Sequence, residues 1–183
     1  MKRRHYLVDD SVFPIFMTTT ITKWIPLFSD SGLAVRALAI LEKVREEYKA
    51  SFIAYVLMPN HIHAIIKTSS KGDLSMIIKR WKALSARLII NFCETSYPDW
   101  LAVFGNSARE YKRTPQMNYQ VWQPRFDEFA IRTEKQILTK INYIHRNPLK
   151  HQVVDRIEDY PYSSVHDYLG AKNRYLKVEP LLL

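Results

Sequence analysis

The sequence predicts an α+β fold, an antiparallel sheet packed by helices in the order of a split βαβ unit. Three observations lead there. The run "SFIAYVLMPNHIHAIIKT" holds two β-rich apolar stretches divided by Pro59-Asn60, a proline-first turn, and so reads as a hairpin. Stripes of helical period lie before and after it. A strand-like segment opens the chain and another follows the second helix, giving β-α-β-β-α-β-α.

The first strand comes from "SVFPIFMTTTITKW", rich in Thr, Ile, Phe and Val, with Pro14 near its start. Ser29, Asp30 or Ser31 can cap the next helix, which carries Leu33, Leu38, Leu41, Val44 and Tyr48 inward. After the hairpin, "GDLSMIIKRWKALSARLIINF" places Leu74, Ile77, Ile78, Trp81, Leu84 and Leu88 on one stripe, with Lys79, Lys82 and Arg87 off it. Residues 94–120 sustain no period and read as a long connection. "VWQPRFDEFAIRT" reads as a short strand region. Thr133 with Gln136 forms a capping box that opens a helix running to about Arg146, because Pro148 biases Asn147 out of the helical region. "DYPYSSVHDYLG" is turn-rich with one short helical stretch, and the tail after it stays unassigned.

The 183 residues suit one domain, 1–183, with a core over about 12–170, and 47% hydrophobic residues mark a globular chain. Cys93 is the single cysteine, which excludes a disulfide framework and a cysteine-based zinc cluster and suits a reducing cytoplasm. The basic start "MKRRHYLVDD" leads into no apolar run, so no secretory signal is expected, and no stretch is apolar enough to span a membrane. The formal net charge of +9 favours a polyanionic partner, nucleic acid before others, although charge alone equally suits a soluble basic protein.

His61 and His63 alternate onto one strand face, Cα atoms about 6.5 Å apart, while Ile62, Ala64 and Ile66 take the other. Two imidazoles so placed can close on one divalent metal. The same spacing also suits two half-exposed strand residues beside a turn. In the helix from Thr133, Ile137, Leu138, Ile141 and Ile144 share an apolar stripe, whereas Gln136, Lys140, Tyr143 and Asn147 share a polar one. Tyr143 is thereby expected to point away from the core, with Asn147 one turn along. A phenol, with a pKa of about 10 in water, needs cations or a metal before it becomes a nucleophile. Lys140, Arg146 and Lys150 lie nearby in sequence, and a phosphodiester is the electrophile that this set suits.

"YVLMPNHIHAII", "VWQPRFDEFAIR", "INYIHRNPLKHQVV" and "DYPYSSVHDYL", in that order, resemble the motifs of the single-tyrosine HUH transposases of insertion sequences, the insertion-sequence-200-like family. Within it they are similar to the branch of REP-associated tyrosine transposases, over about residues 12–170. The resemblance implies a ferredoxin-like, HUH-endonuclease fold. It implies a divalent metal, Mg²⁺ or Mn²⁺, held by His61, His63 and Asn147, and Tyr143 as the nucleophile. The implied chemistry is cleavage and rejoining of single-stranded DNA near hairpins through a 5′-phosphotyrosine link, without ATP. Tyr162 stands where the family usually has tryptophan, and the 94–120 connection is longer than usual. Lys79, Lys82, Arg87, Arg125, Lys140, Arg146 and Lys150 are the candidate DNA-backbone contacts, expected to form a basic groove. Other readings are a catalytically silent hairpin-binding protein of the same fold, a replication or conjugation nickase, and an RNA-binding sheet module, which would need strand aromatics that are not evident. Monomer and homodimer are both open.

Overall fold

The hairpin is the centre of the architecture. In a computed structural model, which describes residues 13–70, 72–111, 118–171 and 175–181, β2 (Ser51–Met58) and β3 (His61–Lys67) pair antiparallel across Pro59-Asn60. β1 (Ile15–Thr20) lies on the other side of β3, and β4 (Asp127–Ala130) lies beyond β1. The order β2-β3-β1-β4, with every pair antiparallel, is the expected α+β sheet.

Both faces of this sheet are covered. Met17, Ile62, Ala64 and Ile66 on one face meet α1 (Ser31–Glu47) and α2 (Asp73–Ser96) through Leu38, Leu41, Ile77 and Trp81. Asp30 supplies the cap of α1, accepting from the Leu33 amide at 2.7 Å. Phe16, Ile53, Val56, Met58 and Ile65 on the other face meet Ile137, Ile141 and Ile144 of α4 (Glu134–Lys150). A β-bulge between Phe52 and Ala54 shifts the alternation, so Ile53 and Ala54 both serve the α4 side. An RNA-binding sheet module would leave that face open; here α4 covers it.

β2 is an edge strand, yet nearly all its residues are buried. The segment after α4 closes it. The Leu57 amide donates to the Tyr162 carbonyl (2.9 Å), the Ser164 amide to the Tyr55 carbonyl (3.0 Å), and the Tyr160 hydroxyl to the Leu57 carbonyl (2.6 Å). The short helix α5 (Val165–Tyr168) follows, and the tail that the sequence left unassigned returns to the sheet, where the Glu179 amide bonds the Phe52 carbonyl and Leu176 joins the core.

Two expectations are corrected. Residues 94–120 are not one connection: α2 continues to Ser96, and α3 (Pro98–Tyr111) follows, with 112–117 outside the described residues. Proline suits the first turn of a helix, and Phe104, Ser107 and Ala108 form a buried stripe that small and polar residues make hard to see. Nor does α4 end near Arg146. Pro148 lies inside its last turn, where only the bond its missing N–H would have made is lost. The helix stops instead in a Schellman motif: Gln152 takes a left-handed φ of 55°, its amide bonds the Leu149 carbonyl, and the Val153 amide bonds that of Pro148.

The Thr133–Gln136 capping box is present in both directions. Thr133→Ala should therefore lower stability by about 1 kcal/mol. The check is a lower denaturant midpoint at an unchanged m-value.

Candidate active site

Alternation on β3 puts His61 and His63 side by side on the face that α4 covers. Their Nε2 atoms are 3.1 Å apart. Each Nδ1 has its own partner. The β1–β3 register sets Thr18 opposite His63, and its hydroxyl lies 2.6 Å from His63 Nδ1. Asn60, the last residue of the turn, holds His61: its Nδ2 donates to the Trp24 carbonyl at 3.2 Å, which leaves Oδ1 facing His61 Nδ1 at 2.6 Å. A carbonyl can only accept, so Asn60 cannot be turned round, and His61 must carry its proton on Nδ1. The lone pair of His61 Nε2 is thus bare. The Thr18 hydroxyl can accept from His63 Nδ1, which bares the second Nε2 in the same way.

α4 brings the tyrosine. Its three isoleucines fix its roll on the sheet, and Tyr143, beside Ile144, falls at the margin of that contact. The hydroxyl is 3.4 Å from His63 Nε2, and the ring stands edge-on to His63 at 5.1 Å between centroids. With 36% of its surface exposed, Tyr143 remains open to a ligand. It does not point away from the sheet, as the helical wheel alone suggests, because the sheet extends beneath this flank of the helix.

Asn147 departs further from expectation. It is fully buried, and neither Oδ1 nor Nδ2 has a hydrogen-bond partner. An unpartnered buried amide costs about 1–3 kcal/mol. Its one polar influence is on His61, whose protonated form it favours. Among the described residues no group of three or more His, Cys, Asp or Glu could hold a metal. Of the ligands expected from the sequence, His61 and His63 stand together and Asn147 is a polar neighbour of His61, so these three are the candidates for holding a divalent ion. Their chemistry fits one: two bare imidazole nitrogens, plus a hard amide oxygen buried beside His61.

Burial pushes His61 down to about 4, with the charge of His151 adding to it. Burial likewise pushes His63 down to about 3, helped by His61, Lys140 and His151. Both rings are therefore neutral at pH 7. His151, at the C-cap of α4, has its ring 6.3 Å from that of His61. The Lys140 ammonium lies over the Phe16 ring at 4.2 Å and 5.7 Å from the Tyr143 ring centre, and Lys150 approaches that ring to 5.8 Å.

The structure does not join the cations into one groove. Lys140, Arg146 and Lys150 gather around Tyr143 on α4, the last two lining one cavity with it. Lys79, Lys82 and Arg87 sit on α2, in the layer covering the opposite face. Lys82 is also engaged, donating to the carbonyls of Gln123 (2.7 Å) and Arg125 (2.8 Å) ahead of β4. Arg125 is exposed, on a left-handed backbone with φ of 64°. Sequence reasoning missed Thr18, Asn60, Trp24 and His151. The threonine run "TTT" and the turn asparagine of "PNHIH" were visible, but their partners come from strand register, which no local pattern reveals.

Comparison with known proteins finds similarity to one family. Residues 17–99 match the family described as "Transposase IS200 like". The chain is 35% identical over 109 residues to the REP-associated tyrosine transposase of Escherichia coli (strain K12), covering 57% of this chain and 62% of that one. It is 30% identical over 128 residues to a Haemophilus influenzae (strain Rd) protein classed with the REP-associated tyrosine transposases, covering 69% and 65%. The chain thus spans somewhat under two thirds of the length of these curated relatives. A solved structure of a REP-associated tyrosine transposase bound to a REP hairpin shares the fold, with a TM-score of 0.65 at 22% identity over 100% of this chain and 95% of that one.

In the metal-free chain both site histidines should stay neutral at pH 6, where an ordinary imidazole is roughly three quarters protonated. Nitrogen-15 NMR should find His61 as the Nδ1–H tautomer. Folding lowers both pKa values, so the unfolded chain binds protons first as pH falls below about 6.5. Stability should decline from there towards the native values of about 4 and 3.

Proposed function

We propose that this chain, whose residues 17–99 match the IS200-like transposase family, is a transposase of that family acting as a single-strand DNA endonuclease and strand transferase. One observation carries the reading: within a single chain, the Tyr143 hydroxyl lies 3.4 Å from a histidine nitrogen that faces its twin at 3.1 Å, beside a buried amide with no partner. Core packing does not require that arrangement. A nucleophile acting beside a metal does.

Tyr143 Oη attacks the phosphorus of the scissile phosphate, the P–O3′ bond breaks, and the 3′ oxygen takes a proton as the phenol loses one. The 5′ phosphate stays on the tyrosine. In the reverse sense, a 3′-hydroxyl attacks the phosphotyrosine and the phenol is restored, so rejoining needs no nucleotide cofactor. Lys140 and Lys150 flank the ring where negative charge develops on the phenol oxygen. The α4 cations and the net charge of +9 favour the phosphate backbone. A Mg²⁺ or Mn²⁺ ion on His61, His63 and Asn147 would polarise a non-bridging phosphate oxygen. The substrate class is single-stranded DNA next to a hairpin, in keeping with the hairpin-bound relative. Tyrosine and histidines meet within one chain, so a monomer suffices for cleavage.

Two outcomes test this. With labelled single-stranded hairpin DNA from beside the chain's own gene and Mn²⁺, the wild type should form a covalent adduct that survives a denaturing gel and vanishes with EDTA. Tyr143→Phe should form none while still binding the DNA, because cations hold the backbone and the phenol acts only in the chemical step. Hairpin binding with no adduct in the wild type would identify a silent binding protein instead. Separately, Thr18→Val removes the partner of His63 Nδ1 and should weaken Mn²⁺ binding by about 10–100-fold in calorimetry, with the fold intact.

A further inference from the structure

Trp24 is hard to explain by folding. The residue is 63% exposed. It also sits on backbone that side chains rarely adopt, since Lys23 and Trp24 have left-handed φ angles of 56° and 55° in succession. A glycine would take that conformation without strain, and a polar residue would meet the solvent at no hydrophobic cost. The chain instead keeps a large aromatic there, and strain of this kind collects at functional sites.

The conformation is firmly held. The Trp24 amide bonds the Ile21 carbonyl at 3.0 Å, the Ile21 amide bonds the Asn60 carbonyl at 2.8 Å, and the Thr22 amide bonds that of Val121 at 2.8 Å. The Asn60 side chain then ties the Trp24 carbonyl to His61, with 3.2 Å on one side and 2.6 Å on the other. One amide therefore fixes a metal-site histidine and the backbone of Trp24 together. The indole lines the same cavity as His61, His63 and Tyr143, of about 380 Å³, whose other walls include Thr18, Met58 and His151.

We propose that Trp24 is a stacking platform for an unpaired nucleobase beside the phosphate that Tyr143 attacks. The inference rests on the transposase reading and adds a residue that selects the substrate's state. Cations gather at the tyrosine, where phosphates are needed, whereas no lysine or arginine is among the residues that line this cavity with Trp24. An aromatic face at an uncharged position next to a phosphate site matches the division of labour in single-strand recognition, backbone on cations and bases on rings. A base within a duplex has both faces covered, so only an unpaired one can use the platform. Because every base has a π face, Trp24 discriminates single from double strand and is tolerant of base identity.

The test uses the hairpin oligonucleotides above, with 2-aminopurine walked through the unpaired positions around the mapped cleavage point. In the wild type, one position should be quenched. Trp24→Ala should abolish that quench and weaken binding roughly 5- to 150-fold, while Trp24→Phe should restore most of both. An abasic site at the same position should weaken wild-type binding equally and add nothing in Trp24→Ala. That arm needs no variant to fold. An unchanged quench and affinity in Trp24→Ala, with the wild-type adduct still forming, overturns the platform and leaves the transposase reading standing. A wild type that neither binds unpaired strand nor forms an adduct overturns both.

Discussion

Everything at the site depends on the seating of one helix. Ile137, Ile141 and Ile144 press α4 onto Phe16, Ile53, Val56 and Ile65, and each fully buried isoleucine contributes about 1.5–3 kcal/mol. That contact fixes the roll of the helix, and the roll decides where Tyr143 lies. A turn of one residue, about 100°, would carry the phenol off the histidines altogether. The apolar core thus does the aiming, and the polar groups are carried into place by contacts that have no chemistry of their own.

What the helix delivers is costly to the fold. Two imidazoles are held so dry that they resist protonation, and an asparagine amide is fully buried beside one of them. Elsewhere the local signals agree with one another: caps, stripes, strand alternation and turn chemistry all point the same way. Among the described residues several such costs meet in one corner, around His61, His63, Asn147 and the twice left-handed Lys23-Trp24, although left-handed backbone also occurs at Lys49, Arg125 and Gln152. Local conflicts that gather beside a cavity are where a functional site is to be sought.

Much of this was legible in the sequence. Period-two alternation placed both histidines on one face, and Thr133 with Gln136 marked the start of α4. Period 3.6 gave the isoleucine stripe, and the strand order gave the sheet class. What stayed hidden was whatever two distant segments decide together. A helical wheel cannot show that the sheet extends under the flank carrying Tyr143 and Asn147, so a polar stripe was read as solvent-facing. The cations of α2 and α4 could not be assigned to opposite layers without the topology. Pro148 misled because its cost is small in a last turn, where a left-handed Gln152 ends the helix instead. In α3, Gly105 and Asn106 diluted a stripe too thin to stand out.

The closure of β2 bears on how this protein is made. The strand is apolar on both faces, yet the groups that satisfy its outer edge lie far along the chain: the hydroxyl bonding the Leu57 carbonyl is 103 residues away. Translation at about 5–20 residues per second leaves roughly 5–20 s between the emergence of the strand and that of its cover. Over that interval the nascent hairpin carries an open, greasy edge of the kind that recruits other strands. A chain cut short before Tyr160 would never close it. The docking of the "DYPYSSV" segment on β2 is therefore the step that ends this exposure, a structural duty separate from the chemistry of the site.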